Sequence, residues 1–196
     1  MPKHPALKDR PLVFVDVETT GLDPHKHELL EVAAVLAYPD GDTPSFYEAK
    51  IKPERIEDAH PKALEVNGYT EEAWASARPL SMVLPELVAF MEGAVIGGQN
   101  TRFDVGFINA SIKRLSMDLR IDYHLVDVAT LAYEHLVPLG LGSLSLFNIC
   151  KFIGIPPEPR VHQALNGAER ARDVYYALHQ ATWVDRFRWK LANSKG

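Results

Sequence analysis

The chain has 196 residues, 46% of them hydrophobic, which predicts one compact domain with a sizeable core. Its 21 Lys and Arg against 26 Asp and Glu give a net charge of −5, which argues against a globally basic nucleic-acid binder. The single Cys150 excludes an internal disulfide, no apolar run reaches about 18 residues, and Met1-Pro2-Lys3-His4-Pro5 lacks an apolar signal core, so a cytoplasmic protein is expected.

In chain order, apolar runs predict strands at 12–18, 28–38 and 45–52, then helical stretches at 61–67 and 80–92. A strand at 94–98 follows. Val105, Phe107, Ile108, Ile112 and Leu115 then recur at helical spacing after Asp104. A short strand at 124–128 precedes helices at 129–136, 143–153 and 164–182. Strands first, then β–α alternation, predict an α/β architecture with a mixed sheet flanked by helices. The expected division is an N-terminal extension at 1–10, a catalytic domain at 11–182 and a C-terminal tail at 183–196.

The first chemical signal is Asp16 with Glu18. Leu12-Val13-Phe14-Val15 reads as a strand buried on both faces, and residues two apart on a strand share a face. The two carboxylates therefore project together from its end. At an effective dielectric near 20 their repulsion is several kcal/mol, and a cation relieves it. Oxygen ligands alone suit Mg²⁺ or Mn²⁺ rather than zinc. The bland alternative is two solvated acids at a strand end. Thr19-Thr20-Gly21-Leu22-Asp23-Pro24 follows as a loop of small and hydroxylated residues. Gly21 is expected to take a backbone conformation closed to other residues, and exposed hydroxyls there suit a sugar or a terminal phosphate.

Asp104 sits where the strand ending in Gly97-Gly98 hands over to a helix, the end of a sheet where α/β proteins gather ligands. Helix capping is the plain alternative. His162 follows Pro156-Pro157-Glu158-Pro159-Arg160 and precedes a helix whose apolar face includes Ala164, Ala168, Ala171 and Val174. A histidine at a loop-to-helix junction, with an ordinary pKa of about 6.5, suits a general base acting on water. It is one of eight histidines and stands out only by its surroundings.

Together these stretches resemble the DEDDh (DnaQ-like) 3′–5′ exonucleases, from about Pro11 to Leu178. Phe14-Val15-Asp16-Val17-Glu18-Thr19-Thr20-Gly21 is similar to the family's first motif, and Glu28–Val35 to the strand after it. Pro61–Thr70 resembles the segment flanking the terminal nucleotide. Asn100-Thr101-Arg102-Phe103-Asp104 resembles the second motif, and His162-Gln163-Ala164 begins the third. The resemblance implies a ribonuclease H-like fold with a five-stranded mixed sheet. It also implies hydrolysis from the 3′ end of single-stranded DNA or RNA, releasing 5′-mononucleotides. Two Mg²⁺ or Mn²⁺ ions, about 3.5–4 Å apart, would clamp the scissile phosphate. On this resemblance Asp16, Glu18 and Asp104 are metal ligands and, with His162 as base, catalytic. Asp16 would bridge the ions, Glu18 would hold the nucleophile-side ion, and Asp104 would support the leaving-group ion. Thr19, Thr20, Gly21, Leu22, Asn100 and Phe103 are expected to touch substrate.

The third motif departs from the family pattern. His-x-Ala-x-x-Asp-Ala is expected, but this chain has Gly167 in place of the Asp. At roughly 100° per residue, Glu169 points to nearly the opposite side of the helix and Asp173 lies well off axis. Gln163, Arg170 and Ala171, one turn away, are not acidic. Asn166 would need a backbone shift, and Asp127 on another segment is the remaining acid considered. Gly at this position costs about 1 kcal/mol of helix stability relative to Ala. Three readings stand: an exonuclease slowed at the nucleophile-side ion, an inactive nucleic-acid-binding domain of the same fold, or a subunit attached to a polymerase or processing complex. Basic residues such as Arg102, Lys113, Arg170 and Arg172 offer local phosphate contacts. In the tail, Trp183, Phe187 and Trp189 either pack a final helix onto the domain or stack bases. Oligomeric state and the choice of DNA or RNA are not legible.

Overall fold

The computed structural model describes residues 6–38, 43–159 and 161–193. The first five residues of the expected N-terminal extension, Arg160 of the proline-rich segment and residues 194–196 of the tail lie outside them. Leu12–Thr19 forms β1, Leu29–Ala37 β2 and Ser45–Lys50 β3. Val95–Gly98 forms β4 and Leu125–Asp127 β5. The sheet order is β3-β2-β1-β4-β5. β1 pairs antiparallel with β2, and β2 with β3, whereas β4 runs parallel to both β1 and β5.

The helices are α1 Pro61–Asn67, α2 Leu80–Phe90, α3 Thr101–Arg114, α4 Val128–Leu136, α5 Leu146–Ile153, α6 Ala164–His179 and α7 Trp183–Asn193. Alternation along β1 splits the core. Val13, Val15 and Val17 pack with Val83, Leu84 and Leu87 of α2 and Phe107 and Ile108 of α3. Phe14, on the opposite face, packs with Val128 and Ala132 of α4, Ile149 of α5 and Val174 of α6. Asp16 and Glu18 share Phe14's face by the period-2 rule. They therefore point toward the layer containing α6, which lies across β1 and β2.

Three boundaries differ from expectation for identifiable reasons. α3 begins at Thr101, so Asp104 lies inside its first turn and is not its cap; Asn100 holds that place with φ 55° and no side-chain cap bond. α5 begins after Ser145, whose hydroxyl accepts from Asn148 N at 3.4 Å. The expected single helix at 164–182 stops at His179, and α7 starts after Thr182. There Thr182 N donates to the Asp185 carboxylate at 2.9 Å and Asp185 N to the Thr182 hydroxyl at 3.3 Å, a reciprocal capping box. Of the tail aromatics, Trp189 packs against the domain, but Trp183 and Phe187 are exposed. Among the described residues no helix is long and apolar enough to cross a membrane.

Arg10 is buried and anchors the entry to β1. Its guanidinium donates to Gly93 O at 2.8 Å and Ala94 O at 2.7 Å, and pairs closely with Asp122. Burial pushes the Asp122 carboxyl up, but the His124 backbone N–H, Arg10 and the His124 ring together bring it down to about 2. Its stabilisation is therefore present above the unfolded pKa of about 3.9 and is lost as pH falls toward the folded value. Asp122→Asn is expected to cost about 2 kcal/mol at pH 7. In thermal unfolding that gap should narrow as pH drops below about 4; a gap constant with pH would contradict the pairing.

Candidate active site

The parallel pairing of β1 with β4 ends at Phe14↔Gly97, because the chain turns into α3 just beyond Gly98. Gly98 permits that turn: a Cβ there would lie 2.8 Å from Val15 O. Past the split, the Val17 N–H has no strand partner, and Asp104 Oδ1 accepts it at 3.0 Å. The helix thus delivers Asp104, 2% exposed, to the end of β1. Here α3 is held in turn by Asp127, which accepts from Thr101 N at 2.9 Å and, through its other oxygen, from Thr130 N at 2.9 Å. Both Asp127 oxygens serve the fold, and Asp127 does not line the cavity that Asp104 faces.

Asp16, Glu18, Asp104 and His162 line one cavity of about 640 Å³. His162 is anchored through its backbone N–H to Val66 O at 3.1 Å, and its Nδ1 lies 4.0 Å from Glu18 Oε1. The imidazole is 47% exposed and sits at the rim. Glu31 of β2, opposite Glu18 in the ladder, accepts from Ala164 N at 3.0 Å. That bond holds the start of α6, whose N-cap Gln163 makes no side-chain capping bond to the helix backbone.

Of the residues expected to touch substrate, Thr19, Gly21, Leu22 and Phe103 line the cavity, whereas Thr20 and Asn100 do not. Thr20 is fully buried, its hydroxyl accepting from Glu28 N at 2.8 Å. The β1–β2 register shifts between Glu18 and Thr19, so the alternation that aligns Asp16 with Glu18 does not carry on into the loop. Gly21 has no positive φ; it is needed for space, since a Cβ would lie 2.4 Å from the His27 ring. Asn67 Nδ2 donates to Thr19 O at 2.9 Å and ties α1 to this loop. The wall also contains His27, His60, Lys62 and Glu158, which were not singled out as site residues from sequence. Gln99 lines it too. Its Nε2 donates to Leu144 O at 2.7 Å, and its buried Oε1 has no partner among the described residues.

Electrostatics set this cavity apart. Burial, then the negative charges of Asp104, Glu18, Glu158 and Glu31, hold the Asp16 carboxyl well above its ordinary range. Glu18 is pushed up to about 8 by burial and by Glu31, Glu158 and Asp104. Asp104 also rises to about 8, mainly through burial, against the lowering effect of its backbone hydrogen bonds. Among the described residues no donor or cation pairs with the Asp16 carboxylate. Clustered, underpaired carboxylates with oxygen donors alone suit a hard divalent cation.

Gly167 backs the Asp16 carboxylate. A Cβ at 167 would lie 2.6 Å from Asp16 Cγ, so the glycine gives the Asp16 carboxylate its room. The helix cost of glycine thus has a structural return that the sequence did not reveal. Among the described residues no three His, Cys, Asp or Glu side chains converge on one point to hold a metal ion. Asp104 is turned to Val17, and Asp16 lies over Gly167. The oxygen-only donor set suits a hard divalent cation, which these side chains would have to rotate to meet.

A mixed sheet in this order, flanked by helices, with carboxylates gathered at the ends of parallel strands, is the ribonuclease H-like architecture of nucleases. The exonuclease (RNase_T) family profile matches residues 13–175, and the chain belongs to that family. It is 30% identical over 172 residues to the DNA polymerase III epsilon subunit of Pasteurella multocida, covering 85% of this chain and 67% of that protein. It is 34% identical over 167 residues to the PolC-type DNA polymerase III of Thermotoga maritima, covering 85% of this chain but 12% of the polymerase. The chain thus spans about an eighth of that relative's length. E. coli exonuclease I in complex with a dT13 oligonucleotide shares the fold, with TM-score 0.72 and 20% identity over 95% of this chain and 44% of that one.

Proposed function

We propose that the chain is a divalent-cation-dependent 3′–5′ exonuclease acting on single-stranded nucleic acid and releasing 5′-mononucleotides. One observation carries this reading: the Asp16 and Glu18 pair of β1 and Asp104 of α3, distant along the chain, face a single cavity with His162 at its rim. Asp16, Glu18 and Asp104 would hold Mg²⁺ or Mn²⁺, which when bound would supply charge stabilisation at the scissile phosphate and acidify the attacking water. His162 accepts the water proton at Nε2, the nitrogen other than the one turned toward Glu18. Leu22, 82% exposed, and Phe103 offer apolar surface to the terminal base and sugar, while Lys62 offers a positive charge to a phosphate. The epsilon and PolC-type relatives and the oligonucleotide-bound exonuclease I support a polymerase-associated role on single strands.

Gly167 is expected to weaken the nucleophile-side position and slow turnover. In Gly167→Asp the new side chain meets the Asp16 carboxylate, which must rotate to make room, and with that rotation the rate should rise about tenfold or more at saturating Mn²⁺. A rate no higher than that of the parent chain would remove Gly167 as the cause of slowness. A second reading, a domain that binds single strands without cutting them, has Gly167 itself in its favour. Tight oligonucleotide binding with no mononucleotide released by either chain would select it.

A further inference from the structure

We propose that Glu158, on the segment leading to His162, supplies to the cation the carboxylate that position 167 lacks. The inference rests on the cation-binding reading above. Glu158 lines the same cavity as Asp16, Glu18, Asp104 and His162. Asp16 and Glu18 of β1 line that cavity with it, and its negative charge adds to the raising of both their pKa values. No hydrogen bond or ion pair fixes its carboxylate among the described residues. Burial raises its pKa, and only the longer-range fields of His162 and Arg170 oppose that. A partly buried acid held near other acids without a partner is costly unless a cation joins them.

The acids of α6 are not available for this purpose. Asp173 is held by Arg170 at 2.9 Å and Arg172 at 2.7 Å, and neither it nor Glu169 lines the cavity. Asn166 donates its Nδ2 to Gln163 Oε1 at 3.1 Å and does not line the cavity. Pro157 and Pro159 flank Glu158 and restrict the backbone on both sides. Such a segment presents its carboxylate with less ordering cost than a flexible loop. Gln99, on the same wall, has a buried Oε1 without a partner among the described residues.

Titration of the whole chain with Mn²⁺, with free ion followed by its electron paramagnetic resonance signal, tests this without reference to turnover. Glu158→Gln is expected to weaken Mn²⁺ binding about tenfold, whereas Glu169→Gln leaves it unchanged. Adding Gly167→Asp to Glu158→Gln is expected to recover the affinity, an effect that loss of a merely structural residue would not show. Circular dichroism of each variant checks folding. If the parent and Glu158→Gln chains bind Mn²⁺ equally well, Glu158 is not a ligand, although the cation reading stands. If the parent binds no Mn²⁺, the cation reading falls and this inference falls with it.

Discussion

Asp16→Asn is expected to abolish nucleotide release while making the cation-free protein more stable. The two effects have one cause. Asp16 is a carboxylate with no donor or counter-charge among the described residues, beside Asp104, Glu18 and Glu158. In the absence of a cation its negative form is disfavoured by burial and by like charge. Asparagine keeps the shape and removes the charge, so stability should rise by about 1 kcal/mol or more, roughly 2–4 °C in melting temperature for a domain of this size. The same change deletes an oxygen of the proposed cation site, and the rate should fall at least about 100-fold. Melting curves in chelator and single-turnover assays in Mn²⁺ measure the two sides separately. A variant that melts lower and still cuts would show that Asp16 serves the fold rather than the chemistry.

The second large effect is a dependence of stability on pH that a divalent cation reverses. Glu18 and Asp104 both titrate at about 8 in the folded protein, and Asp16 is also raised. In the unfolded chain these groups titrate near 4, at about 3.9 for Asp and 4.3 for Glu. Between those values the folded state holds protons that the unfolded state has released. Stability must then fall as pH rises, because the slope of the unfolding free energy follows the protons bound by the unfolded state minus those bound by the folded one. The stabilising contribution is complete below about pH 4 and gone above about pH 8. Since the groups interact, the total is set as on the order of a few kcal/mol rather than as a sum. In chelator the melting temperature should therefore decline from pH 5 to pH 8.5. Mn²⁺ at a hundredfold excess over its Kd should restore about 2.7 kcal/mol, most visibly at the alkaline end. A melting temperature flat or rising with pH in chelator would mean that the carboxylates do not meet in a partly dry place.

Much of this was legible from sequence because it rests on short-range rules. Apolar runs located the five strands and the helices up to α6 within a few residues. The period of two placed Asp16 and Glu18 on one face, and the strand-to-helix turn at Gly98 placed Asp104 near them. Features that depend on contacts across the fold were not legible. Thr20 and Asn100 were expected at the substrate, but the register shift after Glu18 and the left-handed turn at Asn100 keep them off the cavity wall. Gly167 read as a pure loss, because only the folded chain shows Asp16 occupying the space above it. Glu158 sits in a proline-rich stretch with no periodicity, so nothing local announces that it reaches the cavity. Glu31 looked like one residue of a buried strand, yet it holds the first turn of α6. The break between α6 and α7 was readable in principle, since Thr182-x-x-Asp185 is a capping-box pattern.

A time course on a 5′-labelled single-stranded oligonucleotide tests the central claim most directly, that buried acids and a rim imidazole form a cation-dependent centre working from the 3′ end. In Mn²⁺ the label should remain on products that shorten one nucleotide at a time, with no cutting in chelator and none by Asp16→Asn. Immediate release of the label as a mononucleotide, or degradation that persists in chelator, would contradict it.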